Sequence, residues 1–305
     1  EAAALEMAIK LGKKEGADVV MATDPDADRF GIAVPASQNK DSQNPPDFVL
    51  VTGNQMGVLL ADYIFLSLKE QGKLPAKPLM VNTIVTTGMQ KRVAAGYGVE
   101  CVEVLTGFKW IANIMHECDA GKREGTFIFG TEESYGYLVE NEVRDKDGIS
   151  AAALTAEMTL FWRSRGKSLL DRLNELYTEY GYWQELGISK YFQGPEGPGI
   201  MQGIMDQYRK TPPSQLGGIR ITRVRDIKNG ADGLAPSDVL QFFLEDGTIV
   251  SARPSGTEPK IKFYATCCAE ARGAGDVHSE LEAAKAEAAR KLEAIKKDIR
   301  SVIGE

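Results

Sequence analysis

The chain has 305 residues, of which 43% are hydrophobic and 26% are charged, a composition that excludes an intrinsically disordered protein and favours two or three globular domains. Its formal net charge of -7 argues against nucleic acid or an anionic membrane surface as a partner, because either would require a basic face. No stretch approaches the roughly 18 uninterrupted apolar residues of a membrane span, and the first residues lack the features of a secretory signal, so a cytoplasmic location is expected.

The chain opens on an amphipathic helical pattern, in which Leu5, Ile9 and Leu11 are separated by charged residues. This helix lacks the N-cap or the preceding strand that normally introduces one, so we expect the chain to be part of a longer polypeptide. Two apolar runs then predict buried strands at 17–23 and 30–34, with an acidic loop between them. A polar surface loop and a short strand complete this first region.

From Thr52 onwards, helical and strand-like patterns alternate, which predicts a parallel sheet covered by helices. The predicted elements are a helix at 55–70, a strand at 79–84, a helix at 88–95, a strand at 99–104, a helix at 109–118 and a strand at 126–130. Two further helices between residues 149 and 180 are expected to close this domain.

A cluster of glycine and proline at 194–199 marks the next predicted boundary. Beyond it, four strand-like runs joined by short loops precede a predicted helix at 276–303, which indicates a separate α+β domain. We therefore expect an α/β protein in three parts. These are the end of one α/β domain at 1–50, a complete mixed α/β domain with helices packed on a central sheet at 51–190, and a C-terminal α+β domain with a mainly antiparallel sheet at 191–305.

Carboxylates occur at every second position of the first loop, at Asp24, Asp26 and Asp28. In an extended loop such residues point to one side, and oxygen-only ligands select a hard cation such as Mg²⁺. An EF-hand requires Gly at its sixth and Glu at its twelfth position, where this chain has Arg29 and Pro35. A solvated acidic turn is the alternative, although three neighbouring carboxylates repel one another without a cation. Three ligands would leave coordination positions open for a phosphate oxygen, whose charge Arg29 could share.

A second loop, between two predicted strands near the C-terminus, combines Arg253, Ser255, Gly256 and Thr257. An arginine fork, hydroxyl donors and a glycine that lets backbone N–H groups approach an anion suit phosphate binding. The same composition occurs in ordinary β-turns, so the loop by itself does not separate the two interpretations.

A third loop, residues 130–136, follows the C-terminal end of a predicted strand, where ligands of open parallel sheets bind. A carboxylate there can accept hydrogen bonds from two neighbouring sugar hydroxyls. On local composition alone, a helix N-cap formed by Thr131 or Ser134 is the favoured alternative.

Together, the segments DPDADRFG, GTEESYG and RPSGTEPKIKFY resemble the metal-binding, sugar-binding and phosphate-binding loops of the α-D-phosphohexomutase family, the phosphoglucomutases and phosphomannomutases. Two further segments are similar to motifs of that family. TGFK at 106–109 resembles its specificity loop, and RDKDG at 144–148 resembles the basic segment after its sugar loop. The likeness keeps the family order and runs over essentially the whole chain.

The resemblance implies four domains around one cleft, with a phosphoserine in the first domain that gives its phosphoryl group to a sugar phosphate and recovers one from a bisphosphate intermediate. This chain would begin late in the second domain. By the same resemblance, the site residues are Asp24, Asp26 and Asp28 for Mg²⁺, Thr106 and Gly107 in the specificity loop, Glu132 and Ser134 for sugar hydroxyls, and Arg253, Ser255, Gly256 and Thr257 for the phosphate that is not transferred. Lys146 is the candidate for proton transfer or phosphate contact, and Arg29 for a catalytic contact with the phosphoryl group.

The resemblance does not supply a nucleophile from within the chain. The serine of the family lies in a segment like T-A-S-H-N-P, whereas the nearest string here, PASQNK at 35–40, lacks the histidine and follows the acidic loop. We therefore expect the chain alone to be inactive and to depend on N-terminal domains of the same polypeptide.

The predicted function is that of a fragment of a Mg²⁺-dependent phosphosugar mutase, which interconverts hexose 1-phosphate and hexose 6-phosphate. Glucose is the expected sugar, with a glucose 1,6-bisphosphate-type activator. The alternatives are a phosphomannomutase or phosphopentomutase of the same family, a non-catalytic module that binds a sugar phosphate, and a metal-dependent phosphatase with an aspartate of the first loop as nucleophile.

Overall fold

The chain divides into two compact units, Glu1–Glu179 and Tyr180–Glu305, each with its own sheets and helices. Among the described residues, no helix combines the length and the apolar composition that crossing a bilayer requires. The computed structural model describes residues 2–38, 46–256, 258–270 and 277–304.

The first unit begins with a small antiparallel sheet in the order β1-β2-β3. Helix α1 packs on it through Leu5, which lies in one apolar cluster with Val20 and Ala33. The turn between the first two strands holds residues 24–29, because Thr23 pairs with Phe30. The elements are α1 (Ala2–Glu15), β1 (Val20–Thr23), β2 (Phe30–Pro35) and β3 (Phe48–Val51).

A mixed sheet in the order β5-β4-β6-β7 follows in the same unit. The elements are α2 (Gly53–Glu70), β4 (Pro78–Thr83), α3 (Met89–Gly96), β5 (Glu100–Val104), α4 (Phe108–Asp119), β6 (Thr126–Glu132), β7 (Gly136–Leu138), α5 (Gly148–Ser164) and α6 (Leu169–Tyr180). Strand β4 is parallel to β5 and β6, which confirms the predicted parallel core, and β7 is antiparallel to β6. The C-terminal ends of β4, β5 and β6 therefore meet at one edge.

Helix α2 begins where the sequence places a capping box. Thr52 Oγ1 accepts a hydrogen bond from Gln55 N at 3.2 Å, and Gln55 Oε1 accepts one from Thr52 N at 2.9 Å. Two of the N–H groups that a helix start leaves unpaired are thereby satisfied. The start of α2 is thus fixed close to the edge of the sheet where β4, β5 and β6 end.

The second unit is a six-stranded antiparallel sheet in the order β8-β13-β12-β11-β10-β9, covered by two helices. The elements are β8 (Tyr182–Tyr191), α7 (Gly197–Lys210), β9 (Gln215–Leu216), β10 (Ile219–Asp226), β11 (Leu240–Leu244), β12 (Ile249–Pro254), β13 (Lys260–Ala269) and α8 (Val277–Ile303). Leu292 and Ile295 of α8 are buried in one core with Phe242 and Phe263 of the strands. The predicted α+β domain with a mainly antiparallel sheet is confirmed.

The predicted domain boundary at residue 190 separates β8 from the sheet to which it belongs. Strand β8 pairs with β13 over its whole length, from Tyr182↔Ala269 to Tyr191↔Lys260, inside the second unit. The glycine–proline cluster begins α7 instead, with proline in the first helical turn, where a missing N–H is harmless. The chain enters β8 at Gly181, whose φ is 83°. A single glycine between a helix and a strand is a weaker boundary signal than a glycine–proline cluster, which explains the difference.

A buried ion pair joins α2 to α6 in the first unit. Arg172 donates from Nε to Asp62 Oδ2 at 2.8 Å and from Nη2 to Asp62 Oδ1 at 2.7 Å, and the Tyr97 hydroxyl donates to Asp62 Oδ1 at 2.8 Å. The side chain of Asp62 is fully buried. Burial alone disfavours the charged guanidinium, but the hydrogen bonds to Asp62 outweigh this effect and raise the pKa of Arg172. The Asp62 carboxylate depends on these donors in place of water.

We expect Arg172→Ala to lower the free energy of unfolding of the first unit by about 3–5 kcal/mol, because it leaves Asp62 as a buried charge without its partner. Hydrogen exchange of the α2 amides measures this unit separately from the second. Lys77→Ala is the matched control, since Lys77 and Glu124 form an ion pair in which both side chains are exposed, a type that contributes about 0–1 kcal/mol. A loss below about 1 kcal/mol for Arg172→Ala would contradict this role of the buried pair.

Candidate active site

The acidic loop, residues 24–29, is shaped by two internal hydrogen bonds. Ala27 N donates to Asp24 O at 3.0 Å, and Arg29 N donates to Asp24 Oδ1 at 3.0 Å. Ala27 has a φ of 57°, in the left-handed region that few residues other than glycine adopt. The loop is a tight turn and not the extended segment expected from the sequence. The hydrogen bond from Arg29 N holds the pKa of Asp24 below its usual value, which favours its charged form.

Three carboxylates converge in this turn. Asp24, Asp26 and Asp28 each offer an oxygen that lies within 4.8 Å of the others. Opposite ligands of Mg²⁺ are about 4.2 Å apart, twice the metal–oxygen distance, so the three oxygens could hold one such ion after a small movement. Asp28 Oδ1 is buried and accepts no hydrogen bond from the described residues. Such an oxygen is expected to have a partner, and a cation would supply one. The donor set therefore fits the predicted divalent cation.

Two cationic side chains approach these carboxylates. Arg29 Nε lies 3.6 Å from Asp24 Oδ2 and 3.8 Å from Asp28 Oδ1. Lys146 Nζ lies 2.7 Å from Asp28 Oδ2 and 3.3 Å from Asp145 Oδ1. Burial disfavours the ammonium charge, but the hydrogen bond to Asp28 and the charge of Asp145 outweigh this effect and raise the pKa of Lys146. Lys146 is therefore charged at neutral pH, which suits phosphate contact better than removal of a proton from a substrate.

The first turn of α5 docks on the acidic loop. Asp147 caps this helix by accepting hydrogen bonds from Ile149 N at 2.9 Å and Ser150 N at 3.1 Å. Gly148 N donates to Ala27 O at 2.9 Å. The N-terminus of α5 is thus held against the backbone of the acidic loop at Ala27.

The glutamate loop, residues 130–136, is the turn between β6 and β7, in which Glu132 pairs with Gly136. No helix begins within these described residues, so the helix N-cap alternative is wrong. Tyr135 O accepts a hydrogen bond from Phe30 N at 3.0 Å, which ties this loop to the end of the acidic loop. Ser134 is exposed on the loop. Two segments about a hundred residues apart in sequence therefore share one backbone hydrogen bond.

The glutamate loop also meets the segment that begins α4. Glu132 is 6% exposed, and its Oε1 accepts a hydrogen bond from Gly107 N at 2.6 Å. Gly107 has a φ of 120° and is the N-cap of α4, so a residue with a side chain would be strained there. Thr106, half-buried, precedes it. The structure therefore brings Gly107, and with it the neighbouring Thr106, next to Glu132.

The residues that support the glutamate loop from beneath were not predicted from the sequence. A Cβ added to Gly53, the first residue of α2, would lie 2.1 Å from Glu133 O, so the helix touches the loop backbone. Thr83 Oγ1 donates to Glu133 Oε2 at 3.4 Å, and Asn54 Oδ1 accepts from Thr87 N at 3.0 Å. The signal for Thr83 and Thr87 in the sequence is a group of three threonines within residues 83–87, at the end of a predicted buried strand.

In the second unit, the arginine loop, residues 253–260, joins β12 to β13. Arg253 lies directly opposite Lys262 in the register of these strands. Within the part of the chain that the structure describes, neither side chain forms an ion pair. Two neighbouring like charges repel each other, so this end of the hairpin favours an anion. Lys262 was not predicted as a site residue, although it follows Lys260 at the alternate spacing of a strand.

The remaining predicted residues of the arginine loop shape its turn. Ser255 N donates to Lys260 O at 2.7 Å, and Ser255 Oγ accepts from Glu258 N at 3.3 Å. Gly256 is exposed, and a Cβ added there would meet no atom within 4 Å. The fold of the loop therefore does not itself require glycine at this position. Thr257, also predicted to bind phosphate, lies outside the described residues.

Comparison with known proteins gives consecutive matches to one family. Residues 1–37 match the model of phosphoglucomutase/phosphomannomutase alpha/beta/alpha domain II, residues 52–180 match domain III, and residues 218–284 match the C-terminal domain. A phosphoglucomutase of Staphylococcus haemolyticus is 33% identical over 275 residues, which cover 87% of this chain and 47% of that protein. A phosphopentomutase of Mus musculus is 32% identical over 298 residues, which cover 91% of this chain and 46% of that protein.

The chain spans about half the length of the curated relatives it matches. A solved structure shows the same fold: that of parafusin from Paramecium, described as a phosphoglucomutase in an open form, aligns with a TM-score of 0.65 at 19% identity and covers 100% of this chain and 50% of the other. Because three domain models of one family match in order along the chain, and the sheets and loops have the arrangement described above, the chain belongs to the α-D-phosphohexomutase family of phosphoglucomutases and phosphomannomutases.

Proposed function

We propose that the chain is part of a Mg²⁺-dependent phosphosugar mutase that interconverts hexose 1-phosphate and hexose 6-phosphate, with glucose as the sugar. The observation that carries this proposal is the convergence of the acidic loop, Lys146 and the glutamate loop within the first unit. Lys146 Nζ lies 2.7 Å from Asp28 Oδ2, and Phe30 N donates to Tyr135 O at 3.0 Å. Groups suited to a divalent cation, a phosphoryl group and a sugar are therefore neighbours.

The proposed roles in the acidic loop follow from charge. Asp24, Asp26 and Asp28 would hold Mg²⁺, which when bound supplies positive charge that polarises a phosphoryl oxygen. Arg29 and Lys146 would neutralise negative charge on the same phosphoryl group. Phosphoryl transfer depends mainly on positioning and charge neutralisation, so this set of groups is sufficient once a phosphoryl donor is supplied.

The remaining groups would bind the rest of the substrate. Glu132 would accept hydrogen bonds from neighbouring sugar hydroxyls, since a carboxylate has lone pairs beyond the one that Gly107 N uses. The hydroxyls of Thr106 and Ser134 would add donors to the sugar. The arginine loop would hold the phosphate that is not transferred, with the guanidinium of Arg253 as its main donor.

The phosphoryl donor is proposed to be a phosphoserine of the same polypeptide outside these 305 residues. Its phosphoryl group would pass to the free hydroxyl of the sugar phosphate, which loses its proton, and leave a serine alkoxide that is protonated in turn. The serine would then regain a phosphoryl group from the other position of the sugar bisphosphate. A glucose 1,6-bisphosphate-type activator would restore a phosphoserine that had been lost.

The identity of the sugar is proposed separately from the type of reaction. The matched family model names phosphoglucomutase and phosphomannomutase, and one relative is a phosphopentomutase, so activity on mannose phosphates or pentose phosphates is the alternative within the family. Outside the family's catalytic activity, the alternative is a non-catalytic module that only binds a sugar phosphate.

A cytoplasmic location remains a prediction from the sequence.

We expect Lys146→Met to bind Mn²⁺, used as a probe for Mg²⁺, about thirtyfold more tightly than the unmodified chain. The substitution removes a positive charge beside Asp28, and the repulsion between a unit charge and a divalent ion about 4 Å away is worth about 2 kcal/mol in a watery environment. Calorimetric titration measures the affinity, with Lys77→Met as a control at an exposed lysine. Unchanged or weaker Mn²⁺ binding would contradict competition between Lys146 and the metal for Asp28.

We expect Arg253→Ala to weaken binding of glucose 6-phosphate by roughly ten- to a hundredfold, because a charge-assisted hydrogen bond contributes about 1.5–3 kcal/mol. Calorimetric titration of the purified chain with glucose 6-phosphate provides the measurement. Arg220→Ala is the matched control, since Arg220 is an exposed arginine of the same sheet that pairs with Glu245. Equal affinity of Arg253→Ala and the unmodified chain would remove Arg253 from the phosphate site.

We expect the 305-residue chain to show no turnover of glucose 1-phosphate above a buffer blank in the presence of Mg²⁺ and glucose 1,6-bisphosphate, since it lacks a T-A-S-H-N-P-like segment. A coupled dehydrogenase assay for glucose 6-phosphate gives the measurement, with an intact phosphoglucomutase as the positive control. Robust turnover would show that the nucleophile lies within these residues.

The metal-dependent phosphatase alternative has a different readout. Release of inorganic phosphate by the chain, abolished in Asp24→Asn, would favour that alternative.

A further inference from the structure

The contact between Gly148 and the acidic loop is closer than any side chain would permit. A Cβ added to Gly148 would lie 2.7 Å from Ala27 O, 3.0 Å from Arg29 O and 3.2 Å from Thr23 Cγ2. The two nearest atoms are backbone oxygens, which cannot rotate away as the end of a long side chain can. The φ of Gly148 lies outside the left-handed region, so the need for glycine here is one of space.

The two crowded carbonyl groups flank one predicted metal ligand. Ala27 precedes Asp28 and Arg29 follows it, so a shift of either carbonyl moves the Asp28 backbone. Asp28 Oδ1 is the buried oxygen without a hydrogen-bond partner among the described residues, and Asp28 Oδ2 is held by Lys146. Because Ala27 is already in the left-handed region, the turn has little freedom to absorb a displacement.

We propose that Gly148 is a positioning residue for the divalent cation: the glycine at the start of α5 lets its N–H bond to Ala27 O and thereby fixes the Asp28 carboxylate in the arrangement that metal binding requires. This inference rests on the proposed metal site of the acidic loop. Gly148 contacts neither the metal nor the substrate and acts only through the backbone of the loop. Substitution of a residue that holds a metal ligand in place typically weakens metal binding by 10- to 100-fold.

The experiment is a titration with Mn²⁺, in which the electron paramagnetic resonance signal of the free ion reports the unbound fraction. The unmodified chain, Gly148→Ala, Gly199→Ala and Asp26→Asn are compared. Gly199 is the matched control, because it lies in the first turn of α7 and a Cβ there would meet no atom within 4 Å. We expect Gly148→Ala to bind Mn²⁺ roughly 10- to 100-fold more weakly, and Gly199→Ala to bind as the unmodified chain does.

The outcomes separate this inference from the proposed function. If the unmodified chain does not bind Mn²⁺, or if Asp26→Asn binds it equally well, the metal site itself is wrong and the inference falls with it. If the unmodified chain binds Mn²⁺ at this site and folded Gly148→Ala binds with equal affinity, the inference alone is overturned. Circular dichroism of the metal-free variants shows which of them are folded.

A second measurement on the unmodified chain covers the case in which Gly148→Ala does not fold. If the metal binds only while Gly148 N is hydrogen-bonded to Ala27 O, Mg²⁺ stabilises that hydrogen-bonded state. At ten times its dissociation constant, Mg²⁺ should then slow hydrogen exchange of the Gly148 amide by about tenfold. Nuclear magnetic resonance resolves this amide directly. An exchange rate that Mg²⁺ leaves unchanged would overturn the proposal without any variant.

Discussion

Three negatively charged side chains, Asp24, Asp26 and Asp28, present oxygens within 4.8 Å of one another in one turn, and the rest of this site depends on how their repulsion is balanced. Two carboxylates about 4 Å apart near a protein surface repel by about 4 kcal/mol. Arg29 and Lys146 offset part of this repulsion. A divalent cation would remove the remaining excess of negative charge, after which a phosphate dianion could approach without being repelled.

The loops of the first unit have little regular structure of their own, and two helix starts hold them in place. Gly148 at the start of α5 touches the backbone of the acidic loop, and Gly53 at the start of α2 touches the backbone of the glutamate loop. A packed helix is far more rigid than a loop, so these contacts transfer rigidity to the two loops. Catalysis by positioning requires geometry of this kind, since small displacements of reacting groups are costly.

The sequence predicted the elements and loops of the first unit well, because apolar runs and charged loops are local properties. Contacts such as Phe30 N to Tyr135 O depend on the packing of distant segments and leave no local pattern. The glutamate loop shows this limit, since its composition favoured a helix N-cap while the short strand β7 made it a turn. Lys262 was missed for the same reason: only the register with Arg253 shows that two cations are adjacent.

The pairing of β8 with β13 constrains the order in which the chain can fold as it leaves the ribosome. Residues 182–191 emerge before residues 260–269 have been synthesised, so β8 has no partner for its N–H and C=O groups during that interval. The strands and helices of the first unit all precede β8 and can fold during this time. Translation that stops before residue 260 would therefore attach a folded first unit to an unpaired strand, which is open to pairing with other nascent chains.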